Sequence, residues 1–271
     1  MRLPLSLYGH KNIIEIGLEE IRAIISLLKT QGIKQVTQYK KLSVLKAFLN
    51  WSAEKGFSQS LRFPKMEKGH YEKFIPPTPN ELHLMLSVAP QHIQRVIILG
   101  SQCGIRIGSS ELFKLTWDDV DFELDIIRVH AAHKNPSTPW REIPIRKSLK
   151  AVLLEWKEQD RARGTVNVIN FYDKPVASIK RAWAKMLRKA GISRRIRPYD
   201  LRHSFATELI AQGVDIGTIA KLMGHSSPNM IYQHYQFVMD KQKKAAVEAL
   251  PDLAYVPKNM CPNEKGIMLN T

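Results

Sequence analysis

The chain has 271 residues, enough for two domains of ordinary size, and its 44% hydrophobic and 24% charged residues are typical of a globular protein with a buried core. No apolar run approaches the roughly 20 residues that a membrane-spanning helix needs, which argues against a membrane partner. The 41 Lys and Arg against 25 Asp and Glu give a net charge of +16, which favours a polyanion such as nucleic acid.

The compartment follows from the cysteines and the N-terminus. Cys103 and Cys261 cannot form a disulfide framework, and no Cys/His cluster has zinc-finger spacing, so we expect a reducing cytoplasm and no metal. Residues 1–17 contain no apolar stretch followed by a small-residue cleavage site, so we expect no export. Charge by itself also fits a basic surface without a role, and it names no chemistry.

Two amphipathic helices are predicted first, over residues 13–29 and about 37–54, separated by the break at Gln31-Gly32. The apolar stripe of the first is Ile14, Leu18, Ile21, Ile25 and Leu28. That of the second is Tyr39, Leu42, Leu45, Phe48, Leu49 and Trp51. The opposite side of the second helix carries Lys40, Lys41, Lys46 and Lys55. This lysine face fits a solvated surface and a phosphate-facing surface about equally.

A domain boundary is predicted near residue 75. The segment 76–79 is typical of a linker that enters a helix, because Thr78 is a good N-cap, Pro79 fits the first helical position and Glu81 completes a capping box. We therefore expect a helical domain over residues 1–75 and a second domain over 76–254. Residues 255–271 have no periodicity and are expected to form a flexible tail.

The second domain is predicted to be mainly helical with a small antiparallel β-sheet. Strands are expected at 125–133 and 140–145, joined by a turn that contains Lys134. Asp215 and Gly224 are expected to begin and end the helix over 215–223, and Ser227-Pro228 to begin another that carries Tyr232 and Tyr235. Further helices are expected at 79–88, 91–102, 147–163, 176–190 and 201–212.

Four separated segments place Arg, Lys, His and Tyr residues beside turns. Cleaving a phosphodiester without a metal requires a nucleophile, cationic donors for the non-bridging oxygens and an acid for the leaving oxygen. Arginine suits the second role because its planar fork grips two oxygens and stays charged. The segments are residues 103–121, the turn with Lys134, residues 197–207 and residues 222–235.

In sequence order these segments resemble the tyrosine recombinase (phage integrase) family. The chain reads Cys-Gly-Ile-Arg106, then Glu-Leu-Phe-Lys-Leu-Thr-Trp-Asp-Asp-Val-Asp from Glu111, then Asp-Leu-Arg-His-Ser-Phe-Ala-Thr from Asp200, then Leu-Met-Gly-His-Ser-Ser from Leu222. Tyr235 stands ten residues after the last of these histidines. The resemblance covers residues 78–245. It implies that residues 1–75 are the helical core-binding (SAM-like) domain that clamps DNA, here short by a helix or two.

The resemblance also implies roles for individual residues. Arg106 and Arg202 would hold the scissile phosphate, and Lys134 would protonate the 5′ leaving oxygen. His225 would donate a hydrogen bond to a phosphate oxygen. Tyr235 would be the nucleophile and form a 3′-phosphotyrosyl bond. Because that bond conserves the energy of the diester, the family uses neither ATP nor a metal.

Two departures from the family pattern concern the residues around the arginines. Two more residues than in the usual R-x-x-E separate Arg106 from Glu111, which weakens the case for Glu111 as the partner that orients Arg106. Tyr199 stands where the family usually has a histidine, three residues before Arg202. A phenol is a poorer base than an imidazole at neutral pH, so we expect slower chemistry or a base elsewhere. His203 is expected to point in a different direction.

A third departure concerns the nucleophile. The commonest family spacing would place it at position 234, which is His234 here, and Tyr235 matches a longer variant spacing. Tyr232 is the alternative nucleophile, because residues three apart share a helix face.

Other interpretations remain open for the separate residues and for the whole chain. Lys134, Glu111 and Tyr199 fit ordinary surface or salt-bridge roles as well as a site. The chain could be a relative that binds DNA without cleaving it, or a helix-turn-helix regulator over residues 201–223. A metal-dependent nuclease built on His203, His225 and His234 is the weakest alternative, because no carboxylate stands at ligand spacing.

The partners follow from the resemblance. It implies double-stranded DNA, a homotetramer on two duplexes, accessory DNA-bending proteins and no cofactor. The expected location is the bacterial cytoplasm at the nucleoid, or the host cytoplasm for a phage-encoded protein.

Overall fold

The computed structural model describes residues 6–69, 75–130, 140–225, 227–232, 235 and 247–248. The chain divides into two compact units, Met1–Phe74 and Ile75–Thr271. Lys134, His234 and the tail over residues 255–271 lie outside the described residues. Within the described ranges, no helix combines the length and the apolar character that a bilayer span requires.

The N-terminal unit is built on two helices, α1 (Leu18–Thr30) and α2 (Gln35–Glu54). α1 begins after Gly17, whose backbone N–H donates to the Glu20 carboxylate at 2.9 Å. The predicted start at residue 13 is therefore wrong: Ile13–Glu15 form a short 3-10 turn, and Ile14 is 66% exposed. The residues buried between the helices are Ile21, Ile24, Leu28, Leu42, Leu45 and Leu49.

The C-terminal unit contains six helices and five short strands among the described residues. The helices are α3 (Pro79–Val88), α4 (Gln91–Cys103), α5 (Lys147–Arg161), α6 (Lys180–Lys189), α7 (Asp200–Ala211) and α8 (Ile216–Met223). The strands are β1 (Val120–Asp121), β2 (Ile126–His130), β3 (Trp140–Pro144), β4 (Asn170–Phe171) and β5 (Lys174–Pro175). Residues 229–232 are also helical.

The strands form two antiparallel sheets, in the orders β1-β2-β3 and β4-β5. The hairpin of β4 and β5 uses residues 174–175, which explains why α6 begins at Lys180 and not at the predicted residue 176. In β3, Ile143 is buried and Arg141 lies two residues before it, so both side chains point to the same face of the sheet. The Arg141 side chain therefore points toward the interior of the C-terminal unit.

The core of the C-terminal unit surrounds α4. Arg95 on α4 makes a buried bidentate ion pair with Asp160 on α5, with N–O distances of 2.6 and 3.0 Å. The Trp117 indole N–H donates to the same carboxylate at 3.0 Å. Because an unpaired buried charge is costly, this set of donors fixes how α4, α5 and the Trp117 turn pack. Trp117, Leu112 and Leu115 are buried, as predicted for core residues.

Hydrogen bonds also hold the first residues of the C-terminal unit, from Ile75 to the start of α3. Thr78 and Glu81 form the predicted capping box at the start of α3. Arg194 makes a bidentate ion pair with Glu81, at 2.5 and 2.6 Å, and donates to the carbonyls of Ile75 and Pro76. A single arginine therefore holds the first residues of the unit against α3.

Candidate active site

Arg202 is fully buried in the first turn of α7. One terminal nitrogen of its guanidinium donates to the Gly104 carbonyl at 2.6 Å, and the other donates to the Met223 carbonyl. These carbonyls belong to the C-terminal ends of α4 and α8. Helix C-termini carry partial negative charge, so the two ends together offset much of the cost of burying this cation.

The two helices that meet Arg202 end at glycines in left-handed conformation. Gly104 has φ +59°, and a Cβ added there would lie 2.4 Å from Cδ1 of Phe205. Gly224 has φ +66°, and its Cβ would lie 2.9 Å from a terminal nitrogen of Arg141. Gly104 therefore requires glycine both for its backbone conformation and for the close approach of Phe205, whereas Gly224 favours glycine chiefly for its left-handed backbone.

Glu111 joins the first arginine segment to the sheet. Its carboxylate accepts a hydrogen bond from the Arg106 backbone N–H at 3.0 Å and lies 3.4 Å from the Arg106 guanidinium. It also accepts from Arg141 at 2.8 Å. The extra residues between Arg106 and Glu111 form a bend and a turn, after which the Leu112 N–H returns to the Arg106 carbonyl at 3.2 Å. The longer spacing thus preserves the contact that the sequence had left in doubt.

Glu111 is held in its ionised form. Burial alone would raise the pKa of this carboxyl, but the hydrogen bond and the charge of Arg141 outweigh burial and hold the pKa below its usual value. The Glu111 side chain is only 2% exposed. A buried carboxylate paired with two arginines can fix their directions with little competition from water.

Arg141 is the site residue that sequence reasoning missed. Its Nε donates to the Leu222 carbonyl at 2.8 Å while its terminal nitrogen binds Glu111, so one guanidinium joins the end of α8 to the Arg106 segment. The sequence placed this residue in a predicted strand and gave it no role. Its position two residues before Ile143, on the buried face of that strand, was the signal that could have identified it.

The three arginines create a local excess of positive charge. Burial, together with the nearby charges of Arg141 and Arg106, lowers the pKa of the Arg202 guanidinium to about 10, against the raising influence of Tyr199 and Glu111. Arg202 nevertheless stays cationic at neutral pH. A cluster with this balance of charge is suited to an anion with several oxygens, such as a phosphate diester.

Tyr235 lies beside Arg202 and next to His203, the residue that follows Arg202 on α7. Its hydroxyl is 2.5 Å from Nδ1 of His203, and its side chain is 1% exposed. Burial raises the pKa of the Tyr235 phenol above its ordinary value, although the charge of Arg202 opposes the shift. His203 was expected to point in a different direction from Arg202, and its ring reaches the Tyr235 hydroxyl.

The remaining predicted site residues differ in how closely they join this cluster. Tyr199 is 37% exposed and packs edge-on against His203, with ring centroids 5.2 Å apart. His225 follows Gly224, and its backbone N–H donates to the Ala220 carbonyl at 2.9 Å, so it lies at the turn whose carbonyls hold Arg141 and Arg202. Tyr232 is 52% exposed. The structure does not describe Lys134.

The helix-turn-helix alternative does not match this geometry. A helix-turn-helix reader needs an exposed second helix, whereas α8 directs its C-terminal carbonyls to Arg141 and the buried Arg202. Among the residues with described positions, no three His, Cys, Asp or Glu side chains are grouped as a metal site would need.

Comparisons with known proteins agree on one family. Residues 78–242 match the phage integrase family. The tyrosine recombinase XerC of Syntrophus aciditrophicus is 27% identical over 227 residues, which are 76% of this chain and 71% of the relative. The tyrosine recombinase XerA of Pyrococcus furiosus is 31% identical over 218 residues, with the same coverage of 76% and 71%.

Solved structures agree on the fold. The integrase of transposon Tn1549, in complex with a circular intermediate DNA, has a TM-score of 0.68 at 20% identity and covers 88% of this chain and 87% of that one. A lambda integrase dimer bound to a core site has a TM-score of 0.64 at 19% identity, with coverage of 83% and 81%. These structures confirm the predicted fold, mainly helical with small antiparallel sheets.

The arginine cluster and the tyrosine beside it come from segments that lie inside the matched residues 78–242. The chain therefore belongs to the phage integrase family, and it is a tyrosine site-specific recombinase that breaks and rejoins DNA.

Proposed function

We propose that the Tyr235 hydroxyl attacks the scissile phosphate of a double-stranded DNA site. The attack forms a 3′-phosphotyrosyl bond and releases a 5′-hydroxyl. A 5′-hydroxyl from a partner strand then attacks the phosphotyrosine, which reseals the DNA and frees Tyr235. Because each step exchanges one phosphate ester for another, strand exchange needs no ATP and no metal.

The observation that carries this proposal is the arrangement of Tyr235 and Arg202. Arg202 and His203 are consecutive residues of α7. Arg202 donates to the carbonyl ends of two helices, and His203 contacts the hydroxyl of Tyr235. Arg106 is joined to the same cluster by Glu111. The Nε of Arg202 is buried without a hydrogen-bond partner in the described part of the chain, and a phosphate oxygen would satisfy such a donor.

The family resemblance supplies the other roles. Lys134 would give a proton to the leaving 5′ oxygen, and His225 would donate a hydrogen bond to a phosphate oxygen as negative charge develops. Tyr199, which replaces the usual histidine, would hydrogen-bond the phosphate or help to position the nucleophile through its contact with His203. Tyr232, more than half exposed, is the weaker candidate for the nucleophile.

The assembly proposed is four copies on two DNA duplexes, helped by DNA-bending proteins, in the cytoplasm at the nucleoid or in a phage host. Relatives solved on DNA include a lambda integrase dimer. Residues 1–75 would act as the core-binding domain and residues 76–254 as the catalytic domain. Crosslinking of the protein on two duplexes that each carry the binding site should yield a tetramer, whereas a crosslinked species that never exceeds a dimer would contradict this assembly.

The decisive test is trapping of a covalent adduct in EDTA. The Tyr235→Phe protein first selects a binding sequence from a randomised duplex pool, and suicide duplexes with a nick at each successive position of that sequence are then offered to wild type and variants. We expect a 3′-linked adduct with wild type and with Tyr232→Phe, but none with Tyr235→Phe. Digestion and mass spectrometry of the adduct identify the attached tyrosine.

Each other result has a defined meaning. An adduct on Tyr232 would move the nucleophile to that residue. Binding without any adduct would leave a DNA-binding relative that does not cleave. A strict requirement for Mg²⁺ would contradict the phosphotyrosyl scheme.

A further inference from the structure

The roles that the family resemblance implies do not include His203, although its ring lies beside Tyr235. Its Nδ1 lies 2.5 Å from the Tyr235 hydroxyl, and the two ring centroids are 5.6 Å apart. A hydrogen bond of this length joins the ring directly to the oxygen that would attack the phosphate. Tyr199, at the position where the family usually has its histidine, packs edge-on against His203.

The chemistry at Tyr235 calls for a proton acceptor. Burial raises the pKa of this phenol, so the hydroxyl keeps its proton at neutral pH unless a neighbour accepts it during the attack. An imidazole is suited to that work near neutral pH, and a phenol such as Tyr199 is less so. Among the described residues, His203 places such a group, its Nδ1, within hydrogen-bond distance of the Tyr235 hydroxyl.

We propose that His203 is the proton acceptor for Tyr235, a role that rests on the proposed function of Tyr235 as the nucleophile. As the Tyr235 oxygen bonds to phosphorus, its proton passes to Nδ1 of neutral His203, and the bond from phosphorus to the 5′ oxygen breaks. The 5′ oxygen takes its own proton from an acid on the leaving side. In the rejoining step, the 5′-hydroxyl gives its proton to the conjugate base of that leaving-side acid as its oxygen bonds to phosphorus. The bond from phosphorus to the Tyr235 oxygen breaks, and protonated His203 returns a proton to the departing Tyr235.

The position of His203 on α7 explains how one helix supplies both the cation for the phosphate, Arg202, and the proton acceptor for Tyr235. Arg202 is fixed by the carbonyls of Gly104 and Met223. His203, the next residue, is rotated by one helical step about the axis of α7, so its ring lies beside the Arg202 guanidinium and reaches toward Tyr235. The transfer requires the His203 tautomer that carries its proton on Nε2, because Nδ1 must have a free lone pair.

A different role for the same contact is a clasp that only holds Tyr235 in its buried position. The two roles predict opposite effects of removing the imidazole. If the contact only holds Tyr235 in its buried position, any truncation of the His203 side chain should remove it, and cleavage should then be as fast as in wild type or faster. A proton acceptor should slow cleavage when it is lost, and free imidazole should replace it in part.

The experiment measures the single-turnover rate of adduct formation on the selected suicide duplex, with DNA affinity measured for each protein. We expect His203→Ala to slow the rate by about 10²-fold or more while DNA affinity is retained. Added imidazole should restore the His203→Ala rate by about tenfold, with no effect on wild type or on the exposed-residue control His83→Ala. Tyr199→Phe should lose less rate than His203→Ala.

The outcomes separate this inference from the proposed function. If wild type forms its adduct on Tyr235 but His203→Ala cleaves at the wild-type rate or faster, the acceptor role is overturned and the nucleophile stands. A slow His203→Ala that imidazole does not rescue also overturns it, as does a larger loss in Tyr199→Phe. If Tyr235→Phe still forms an adduct, the proposed function itself fails.

Discussion

At the scale of single residues, the site depends on how a buried arginine is kept charged. Arg202 has no exposed surface, yet its guanidinium contacts the carbonyl ends of two helices. A lone buried cation would cost several kcal/mol, and such fixed dipoles are what make its burial tolerable. The same carbonyl ends would have unsatisfied acceptors without it. The arginine and the helix ends therefore stabilise each other.

Arg141 is expected to act by positioning Glu111 and the end of α8. Arg141→Lys keeps the charge but cannot bind the Leu222 carbonyl and Glu111 with one planar fork. We expect adduct formation to slow by about 10- to 100-fold with DNA affinity unchanged, because a small misplacement of catalytic groups is costly. Single-turnover rates and binding isotherms would check this, with exposed Arg181→Lys as the matched control. Equal losses of rate and affinity would instead indicate a direct contact with DNA.

Gly104 is expected to be far less replaceable than a glycine in open space. Gly104→Ala and Gly164→Ala both force an alanine into left-handed backbone, at a cost of about 1–2 kcal/mol. Only at Gly104 does the new Cβ meet Phe205, at 2.4 Å, which adds roughly 1–3 kcal/mol. Urea unfolding of both variants measures the difference. Equal destabilisation would show that Phe205 moves aside freely.

At the scale of elements, short segments are joined by side chains that bind backbone carbonyls. Arg194 is the clearest case, because it binds Glu81 of α3 and the carbonyls of Ile75 and Pro76 together. The capping box at Thr78 uses the same Glu81 carboxylate. One carboxylate thus begins a helix and anchors the chain that enters it.

The pH dependence of this anchor can be predicted. The hydrogen bonds from Arg194 lower the Glu81 pKa from 4.5 to about 2. A lowered pKa means that the stabilisation is complete above pH 4.5 and is lost as pH falls from 4.5 toward 2. Glu81→Gln should therefore destabilise the protein by about 1 kcal/mol at pH 7, since Arg194 is one-third exposed, and by little at pH 2.

Urea unfolding at pH 7 and at lower pH checks this expectation. Glu158→Gln is the matched control, because Glu158 forms an exposed and longer pair with Arg161, at 3.8 Å. A constant destabilisation by Glu81→Gln at every pH would show that the ion pair carries no charge-dependent stability.

At the scale of the whole molecule, the charge of +16 sets the strength of non-specific attraction to DNA. Two sets of basic residues differ in their exposure. The C-terminal unit buries or half-buries its three site arginines, whereas Lys41 and Lys46 on α2 of the N-terminal unit are exposed. Buried arginines suit a single phosphate, and exposed lysines suit a run of phosphates along the backbone.

The exposed lysines offer a test of whether α2 faces DNA. If Lys41 and Lys46 each contact a phosphate, the double substitution to Gln should weaken binding to all duplexes alike. The slope of log affinity against log salt should then fall by about 1 for each contact removed. Salt titrations on specific and random duplexes measure this, with the exposed pair Lys185→Gln and Lys189→Gln in the C-terminal unit as comparison. An unchanged slope would show that this face of α2 is solvated.

The sequence by itself determined the family, the mainly helical fold and most helix bounds. These features rest on local signals, such as the capping box at Thr78, the apolar periodicity and the glycines that end α4 and α8. Local signals can be read along the chain because the residues that create them are three or four positions apart. Where such a signal competed with another, as at Gly17 before α1, the predicted boundary was misplaced.

Only the tertiary structure decided which side chains meet. Arg141 and Glu111 are 30 positions apart, and His203 and Tyr235 are 32 apart, so no local periodicity relates them. Their contacts depend on how the ends of α4 and α8 close around Arg202 and on which face of β3 is buried. The sequence indicated where the phosphate would be held, and the packing of these helix ends brought His203, not Tyr199, within hydrogen-bond distance of the tyrosine hydroxyl.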